Sequence, residues 1–490
     1  METKNPAQTS GLPLCVDLDG TLIFTDLTFE SLLSSLKRAP WLLLLIPLWL
    51  LKGKSHLKDQ LARRSTPDVS VLPYNQAVVA LVREAKKAGR QTVLVTGSHE
   101  QLATPVAAYL AIFDVVLATE ADNNLIGANK ARQLDEMFGQ GRYEYVANAQ
   151  VDITIWRNAA AAITVNASKR VVQEVAAMGK PHNDLPKPGT GLRIWLRAVR
   201  IQQWLKNLLL FIPIVTAHEM LNWEALAATA LAFVCFGACA SATYIINDLL
   251  DLDADRHHHK KRNRPFAAGA IDLKAGLTAV VVLLSTGLGL SWVLPTNFQL
   301  ALVAYLAITL LYSLRLKRVA SLDVIVLAGL YTLRIIAGAF AASINLSFWL
   351  LAFSMFIFLS LAIVKRVAEL VEIRKEEQAK GKVLGTLHGR DYATDDSVVL
   401  QSLGAASGYL SVLVLALYIH SPEVTELYRT PELLWLIAPL MLLWVTRLWV
   451  VTARGYMDED PIFFAVTDPE TWATGVVVAG ILMAAALVPS

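Results

Sequence analysis

Asn247, Asp248, Asp251 and Asp255 recur at helical spacing in the stretch Asn247-Asp248-Leu249-Leu250-Asp251-Leu252-Asp253-Ala254-Asp255. At 100° per residue the four fall within an arc of roughly 100° on one helical face, while Asp253 points the other way. Such a row of carboxylates repels itself unless cations sit among them. An all-oxygen donor set suits Mg²⁺ held partly through substrate phosphates. A long apolar run precedes the row and a basic run, residues 256–264, follows it, so the acids stand where a membrane helix meets water. A second constellation lies early in the chain. It comprises Asp17-Leu18-Asp19-Gly20-Thr21, then Thr96-Gly97-Ser98, then Lys130 after a turn at Gly127, then residues 148–152 ending in Asp152. A carboxylate nucleophile, a second acid, a hydroxyl and a lysine are the parts needed for phosphoryl transfer through an aspartyl-phosphate.

The elements that must carry these groups differ along the chain. The 490 residues are 55% hydrophobic and 17% charged, with mean hydropathy +0.46, too apolar for a soluble enzyme and long enough for more than one domain. The net charge of +3 says little by itself. Cys15, Cys235 and Cys239 offer neither a disulfide framework nor zinc spacing. The polar first residues predict no cleavable signal peptide and a first domain that stays in the cytoplasm. Residues 13–16, 91–95, 114–117 and 143–146 read as buried strands separated by helical stretches, which predicts an α/β fold with a parallel sheet. Its ligands are expected at the carboxyl ends of the strands.

Between the first two strands, residues 41–51 hold eleven apolar positions with a central proline, too few to cross a bilayer, which takes about 20. With Trp41, Trp49, Lys37, Arg38, Lys52 and Lys54 they predict a segment dipping into the membrane interface. Residues 179–189 read as a turn-rich linker. Beyond it nine apolar spans are expected, near 204–218, 223–246, 275–294, 298–314, 322–342, 348–364, 398–419, 432–450 and 472–488. Lys and Arg crowd the loops around 256–274, 315–318, 365–390 and 447–454, whereas the opposite loops hold only Arg429. The positive-inside bias puts those basic loops, and the acid row, on the cytoplasmic face.

The ordered elements at Asp17, Thr96, Lys130 and Asp152 resemble the haloacid dehalogenase-like phosphatases over residues 13–175. The resemblance implies a Rossmann-like α/β domain, residues 1–180, with a helical cap near residues 25–90. It makes Asp17 the nucleophile, Asp19 the general acid/base, Thr96 and Lys130 the phosphate grips, and Asp17, Asp19 and Asp152 the Mg²⁺ ligands. Asn148 stands where that family's last motif begins with an acid, which puts metal binding and activity in question.

The motif Asn247-Asp248-x-x-Asp251-x-x-x-Asp255, with its basic tail, resembles the first aspartate motif of the UbiA superfamily of intramembrane prenyltransferases. After a linker at 181–194, this resemblance covers residues 195–490 and implies an all-α bundle of nine transmembrane helices. Asp248, Asp251 and Asp255 would be catalytic and bind Mg²⁺, with Asn247 and Arg262 on phosphate. The stretch 312–323 matches that superfamily's second motif but offers one acid, Asp323. Arg334 lies roughly 20° around the helix from it, so both are expected to face one cavity, with Tyr331 nearby and Lys317 reaching for phosphate. A buried arginine in a membrane helix is costly and usually functional.

Three further stretches look like the decaprenyl-phosphate phosphoribosyltransferase branch: Gln203-Trp204-Leu205-Lys206-Asn207, Lys365-Arg366-Val367-Ala368-Glu369-Leu370 and Arg390-Asp391-Tyr392. They nominate Lys206, Asn207, Lys365, Arg366, Glu369, Arg390 and Tyr392 as substrate-binding residues, although a glycine is expected where Asp391 stands. The implied reaction moves 5-phosphoribose from phosphoribosyl pyrophosphate to a polyprenyl phosphate, with the fused phosphatase removing the product's 5-phosphate. The competing reading moves a prenyl chain from its diphosphate to an aromatic or other small acceptor. A transporter is disfavoured because its acids usually lie at the midplane of broken helices. The implied partners are a polyprenyl phosphate or diphosphate lipid, phosphoribosyl pyrophosphate or a small acceptor, the bacterial inner membrane and a possible second copy, with no nucleic acid. The consecutive residues His257, His258 and His259 alternate around any helix and read as loop residues, not a metal site.

Overall fold

A computed structural model describes residues 11–120, 124–186, 191–380, 391–421, 424, 428–457 and 460–487. The chain divides into two compact units. One takes residues up to 200 together with Tyr244–Val281; the other takes Ile201–Thr243 and residues from Val282 onward. The acid row therefore belongs to the same unit as the α/β domain.

In the first unit a six-stranded sheet has the order β3-β2-β1-β4-β5-β6, with every pairing parallel. Its strands are β1 (Leu14–Val16), β2 (Thr92–His99), β3 (Val115–Thr119), β4 (Glu144–Ala147), β5 (Ala161–Val165) and β6 (His182–Leu185). The short runs Leu14–Val16 of β1 and residues 92–95 of β2 are buried on both faces, as parallel strands under helices must be. Leu14 is in register with both Thr92 and Glu144, so the carboxyl ends of β1, β2 and β4 lie side by side. That register sets residues 17–21, 96–98 and 148–152 along one edge.

All four expected strands form, and two more join them. β6 falls inside the stretch read as a linker. It is polar and half-exposed, and Thr164 Oγ1 is tied to His182 Nε2 at 2.9 Å and Asp184 Oδ1 at 2.6 Å. An edge strand held by polar side chains has no apolar alternation to announce it.

The cap opens with a helix at Leu27–Arg38, whose N-terminus is capped by Asp26 accepting from Phe29 N–H at 3.1 Å. A turn at Pro40–Leu44 and helices at Ile46–Leu51, Lys54–Ala62 and Gln76–Lys87 follow. In the apolar stretch, Trp49 turns inward against Leu42 and Leu61. Trp41, Leu44 and Leu51 stay 62%, 78% and 84% exposed, leaving an apolar ridge beside the basic residues named above.

Among the described residues, eight helices are long and apolar enough to cross a membrane. They are Trp223–Leu250, Leu273–Ser291, Thr296–Leu314, Leu322–Ala341, Phe348–Lys375, Thr394–Ile419, Pro431–Ala453 and Pro469–Ala486. The first expected span takes another form. Ile201–Phe211 is a 3₁₀ segment and Ile212–Thr216 a single short α-helix. Pro213, lacking an N–H and clashing with the preceding turn, sits in the first turn of that short helix and keeps one continuous α-helix from running through it. The segment packs tightly in the second unit. A Cβ at Gly338 would lie 2.0 Å from the Leu210 carbonyl oxygen, so glycine is required there for backbone to touch backbone. This contact seats the segment that carries Lys206 and Asn207.

Candidate active sites

At the sheet edge, Lys130 is buried and donates to Asp17 Oδ1 at 2.8 Å and to Tyr145 Oη at 3.2 Å. Its ammonium also lies 3.8 Å from Asp152 Oδ1. Burial pulls the lysine's pKa down, but Asp17 and Asp152 outweigh that and hold it above its ordinary value. Asp152 accepts from Tyr145 O–H at 3.1 Å and from Ala149 N–H at 3.2 Å. Burial, opposed by Lys130, pushes its carboxyl up to about 6. Asp19 accepts from Leu27 N–H at 2.9 Å and from Ser98 O–H at 2.6 Å. Burial first, then the charge of Asp26, raises it to about 7, against the pull of those two hydrogen bonds. Thr96 is fully buried; its hydroxyl accepts from Ser98 N–H at 3.0 Å and reaches Asp19 Oδ2 at 3.4 Å. Asn148 lies against Gly20.

The sequence reading passed over Ser98, Tyr145 and Lys58. Lys58 extends from the cap to Gly97 O at 2.5 Å and Asn124 Oδ1 at 3.3 Å. Ser98 stood in a quoted motif, but only the fold reveals that its hydroxyl, directed at Asp19, is the closer of the two.

The acid row begins at the end of the helix Trp223–Leu250. A break at Asp251 starts the helix Leu252–His257, yet Asp251 N–H still donates to Asn247 O at 2.9 Å and Asp255 N–H to Asp251 O at 2.8 Å. The helical face predicted from spacing is thereby kept. Asp248 is 2% exposed and Asp255 4%, Asn247 is half-buried, and Asp253 turns to solvent. Arg200 donates to Asp248. Arg264 Nη1 reaches Asp248 Oδ1 at 3.2 Å and Asp255 Oδ2 at 2.7 Å, and Lys37 Nζ reaches Asp251 Oδ1 at 2.6 Å. Burial raises the Asp255 carboxyl above its ordinary value, with Arg264 pulling the other way.

Arg262, the expected phosphate contact, is exposed on the turn Lys261–Asn263; Arg264, two residues on, is the side chain that meets the acids. His257 closes its helix with a 3.0 Å contact to Asp68, while His258 and His259 are exposed beyond it. Among the described residues no three His, Cys, Asp or Glu side chains gather closely enough to hold a metal unaided.

In the second unit Lys206 and Asn207 are 8% and 1% exposed. Lys206 pairs with Asp460 and lies 5.8 Å from the centre of the Tyr331 ring. Burial would raise Asp460, but Lys206 and Lys365 hold it below the usual carboxylate value. Arg334 donates through Nε to Asn207 Oδ1 at 3.1 Å, through Nη1 to Leu330 O at 2.7 Å and through Nη2 to Tyr305 Oη at 3.2 Å. With its oxygen turned to Arg334, Asn207 presents a buried Nδ2 that has no hydrogen-bond partner among the described residues.

Asp323 does not share the surroundings of Arg334. It is wholly buried and takes Arg366 through Nε at 2.5 Å and Nη2 at 3.1 Å, and Tyr312 O–H at 2.7 Å. Eleven residues on one helix separate their backbones by ~16 Å, so a common azimuth brings them no common partner. Arg366 also reaches Glu369 Oε2 at 2.7 Å, the expected helical pair. Buried Tyr392 accepts from Ser321 N–H at 3.1 Å. Lys365 and Lys317 are half-buried, and Arg390 lies outside the described residues. Asp460, Arg200 and Arg264 escaped the sequence reading because each meets its partner only through tertiary folding.

Membrane-length helices with acids at a helix end, joined to a parallel α/β domain, define an integral-membrane transferase with a hydrolase-like domain. Residues 209–467 match the UbiA prenyltransferase family and residues 14–154 the haloacid dehalogenase-like hydrolases. The chain belongs to the UbiA prenyltransferase family. It is 37% identical to the uncharacterized protein y4nM of Sinorhizobium fredii, over 96% of this chain and 90% of that one. It is 34% identical to the nodulation protein NoeC of Azorhizobium caulinodans, over 56% of this chain and 87% of that one. It is 40% identical to the decaprenyl-phosphate phosphoribosyltransferase of Mycobacterium tuberculosis, over 36% of this chain and 59% of that one.

Proposed function

We propose that this enzyme transfers 5-phosphoribose from phosphoribosyl pyrophosphate to a polyprenyl phosphate at the cytoplasmic face of a bacterial inner membrane. A lipid phosphate oxygen attacks C1 of the ribose, the C1–O bond to diphosphate breaks, and diphosphate leaves with the electron pair. The observation that carries this reading is the buried polar set of the second unit, where Asn207 Nδ2, beside Arg334, has no hydrogen-bond partner among the described residues. Buried polar groups almost always find a partner, so a donor left over suggests a ligand oxygen. An acceptor that itself bears phosphate calls for more cations than an aromatic ring does, and Lys206, Arg334 and Lys365 supply them. The Mycobacterium tuberculosis relative, by its name, uses decaprenyl phosphate.

Arg264 Nη1 bridging Asp248 and Asp255 marks a place where two carboxylates share one positive charge. That pair fits Mg²⁺, which binds through one or two carboxylates, substrate phosphates and several waters. Asp248, Asp251 and Asp255 would hold the ion, which when bound neutralises charge on the departing diphosphate. Purified protein given labelled phosphoribosyl pyrophosphate and polyprenyl phosphate is expected to move label into the lipid phase. Label that stays in water would turn the assignment toward prenyl transfer to a small acceptor.

The α/β domain then removes the 5-phosphate of the product, with Asp17 as nucleophile, Asp19 as general acid, Lys130 on phosphate, and Asp17 and Asp152 as the carboxylates for Mg²⁺. An Asp17→Asn chain is expected to accumulate phosphorylated lipid, read by thin-layer chromatography; unchanged product would sink this role. A general acid must start protonated. With Asp19 raised to about 7, phosphatase kcat/KM is expected to fall as pH rises through 7. Ser98→Ala removes a hydrogen bond that lowers Asp19, so it should move that alkaline limb to higher pH.

A further inference from the structure

The first cap helix, Leu27–Arg38, touches two chemical sites. At its start Leu27 N–H donates to Asp19, and near its end Lys37 pairs with Asp251 of the acid row at 2.6 Å. Ten residues at ~1.5 Å each separate these contacts, about 15 Å along the axis. Exposed lysine–carboxylate pairs often mean little, but this one is held in place by the contacts around it.

Glu30 and Arg256 form a two-pronged pair at 2.8 and 2.6 Å, with side chains 6% and 3% exposed. Thr25 also donates to Glu30, and Arg256 Nε donates to Ala267 O at 3.0 Å. Gly269 has φ +67°, and a Cβ there would lie 2.4 Å from Phe24 Cβ, so the loop after the acid row presses on the chain entering the cap helix. Lys274 adds a 3.4 Å contact to Asp26. A planar, two-pronged arginine–carboxylate pair fixes orientation as well as distance. The position of Lys37 is thus set by the fold and does not depend on its own weak pairing.

We infer that the phosphatase-like domain supplies a residue to the membrane transferase site: Lys37 binds the diphosphate of the donor beside the acid row. This rests on the transferase reading above. Lysine is a compact point charge suited to phosphate. Asp251 would help hold a divalent cation, and Lys37, 2.6 Å from Asp251, would add a positive charge for the diphosphate oxygens. Glu30 and Arg256 are positioning residues; they hold the helix and touch no substrate.

The test is calorimetric titration of the full chain in lipid nanodiscs with inorganic pyrophosphate and Mg²⁺. Lys37→Met is expected to weaken binding about tenfold or more, the size of one charge-assisted hydrogen bond. Lys37→Arg should recover most of the affinity, the melting temperature of both variants should stay at the wild-type value, and Lys87→Met, on an exposed cap-domain surface, should bind normally. Wild-type affinity in Lys37→Met would overturn the proposal and reduce Lys37 to a docking contact. A wild-type chain that ignores Mg²⁺-pyrophosphate would instead defeat the transferase reading, and this proposal with it.

Discussion

Asp248→Asn is expected to lower the rate of lipid transfer by about 10³-fold, roughly 4 kcal/mol of lost transition-state stabilisation. Asp248 is almost wholly buried, yet it receives both Arg200 and Arg264, so the protein surrounds it with positive charge. An amide of the same shape keeps the packing but cannot share a cation with Asp255. Asp253, one helical face away and exposed, is the internal comparison; Asp253→Asn should retain transfer within about twofold, as surface changes usually do. Initial rates against Mg²⁺ concentration separate the two. If Asp248→Asn lost activity only through misfolding, its melting temperature would fall along with its rate.

Arg366→Met is expected to damage the fold itself. Its guanidinium contacts Asp323, Tyr312 and Glu369 while being fully buried. Removing it leaves Asp323 with Tyr312 and no counter-charge, a change that typically costs ~3–5 kcal/mol. The double variant Asp323→Asn with Arg366→Met should recover part of that loss, since the isolated charge is gone. Thermal unfolding of the full chain in detergent reads both. A single variant as stable as wild type would mean that the pair serves ligands and not the bundle.

Helical spacing made the acid row legible, because the i to i+4 hydrogen bonds persist across the break at Asp251 and keep Asp248, Asp251 and Asp255 on one face. Asp17 and Lys130 were legible for a related reason: a parallel sheet sends its strand ends, and the starts of the helices that follow them such as Ala128–Phe138 with Lys130, to one edge, so order in sequence becomes proximity. Side chains that meet across folds of the chain were not. Arg264 and Arg262 are equally basic in the sequence, and only the turn after the helix decides which one meets the acids. Arg334 and Asp323 share an azimuth, but azimuth says nothing of the distance along the axis. The membrane helices were plain from hydropathy, except where Pro213 turned the first expected span into a 3₁₀ segment and a short helix.

The buried pairing of Glu30 with Arg256 has a consequence for how such a chain can be divided. The two partners lie on opposite sides of the polar linker, in regions that read as separate modules. Cut there, the amino-terminal piece would keep the Glu30 carboxylate without its guanidinium, along with the bare ridge of Trp41, Leu44 and Leu51. It would behave as an insoluble fragment and not as a free-standing hydrolase. The fusion is therefore an interlocked pair of parts, each finished by the other, and exchanging either half for a foreign one would require transplanting the matching residue with it.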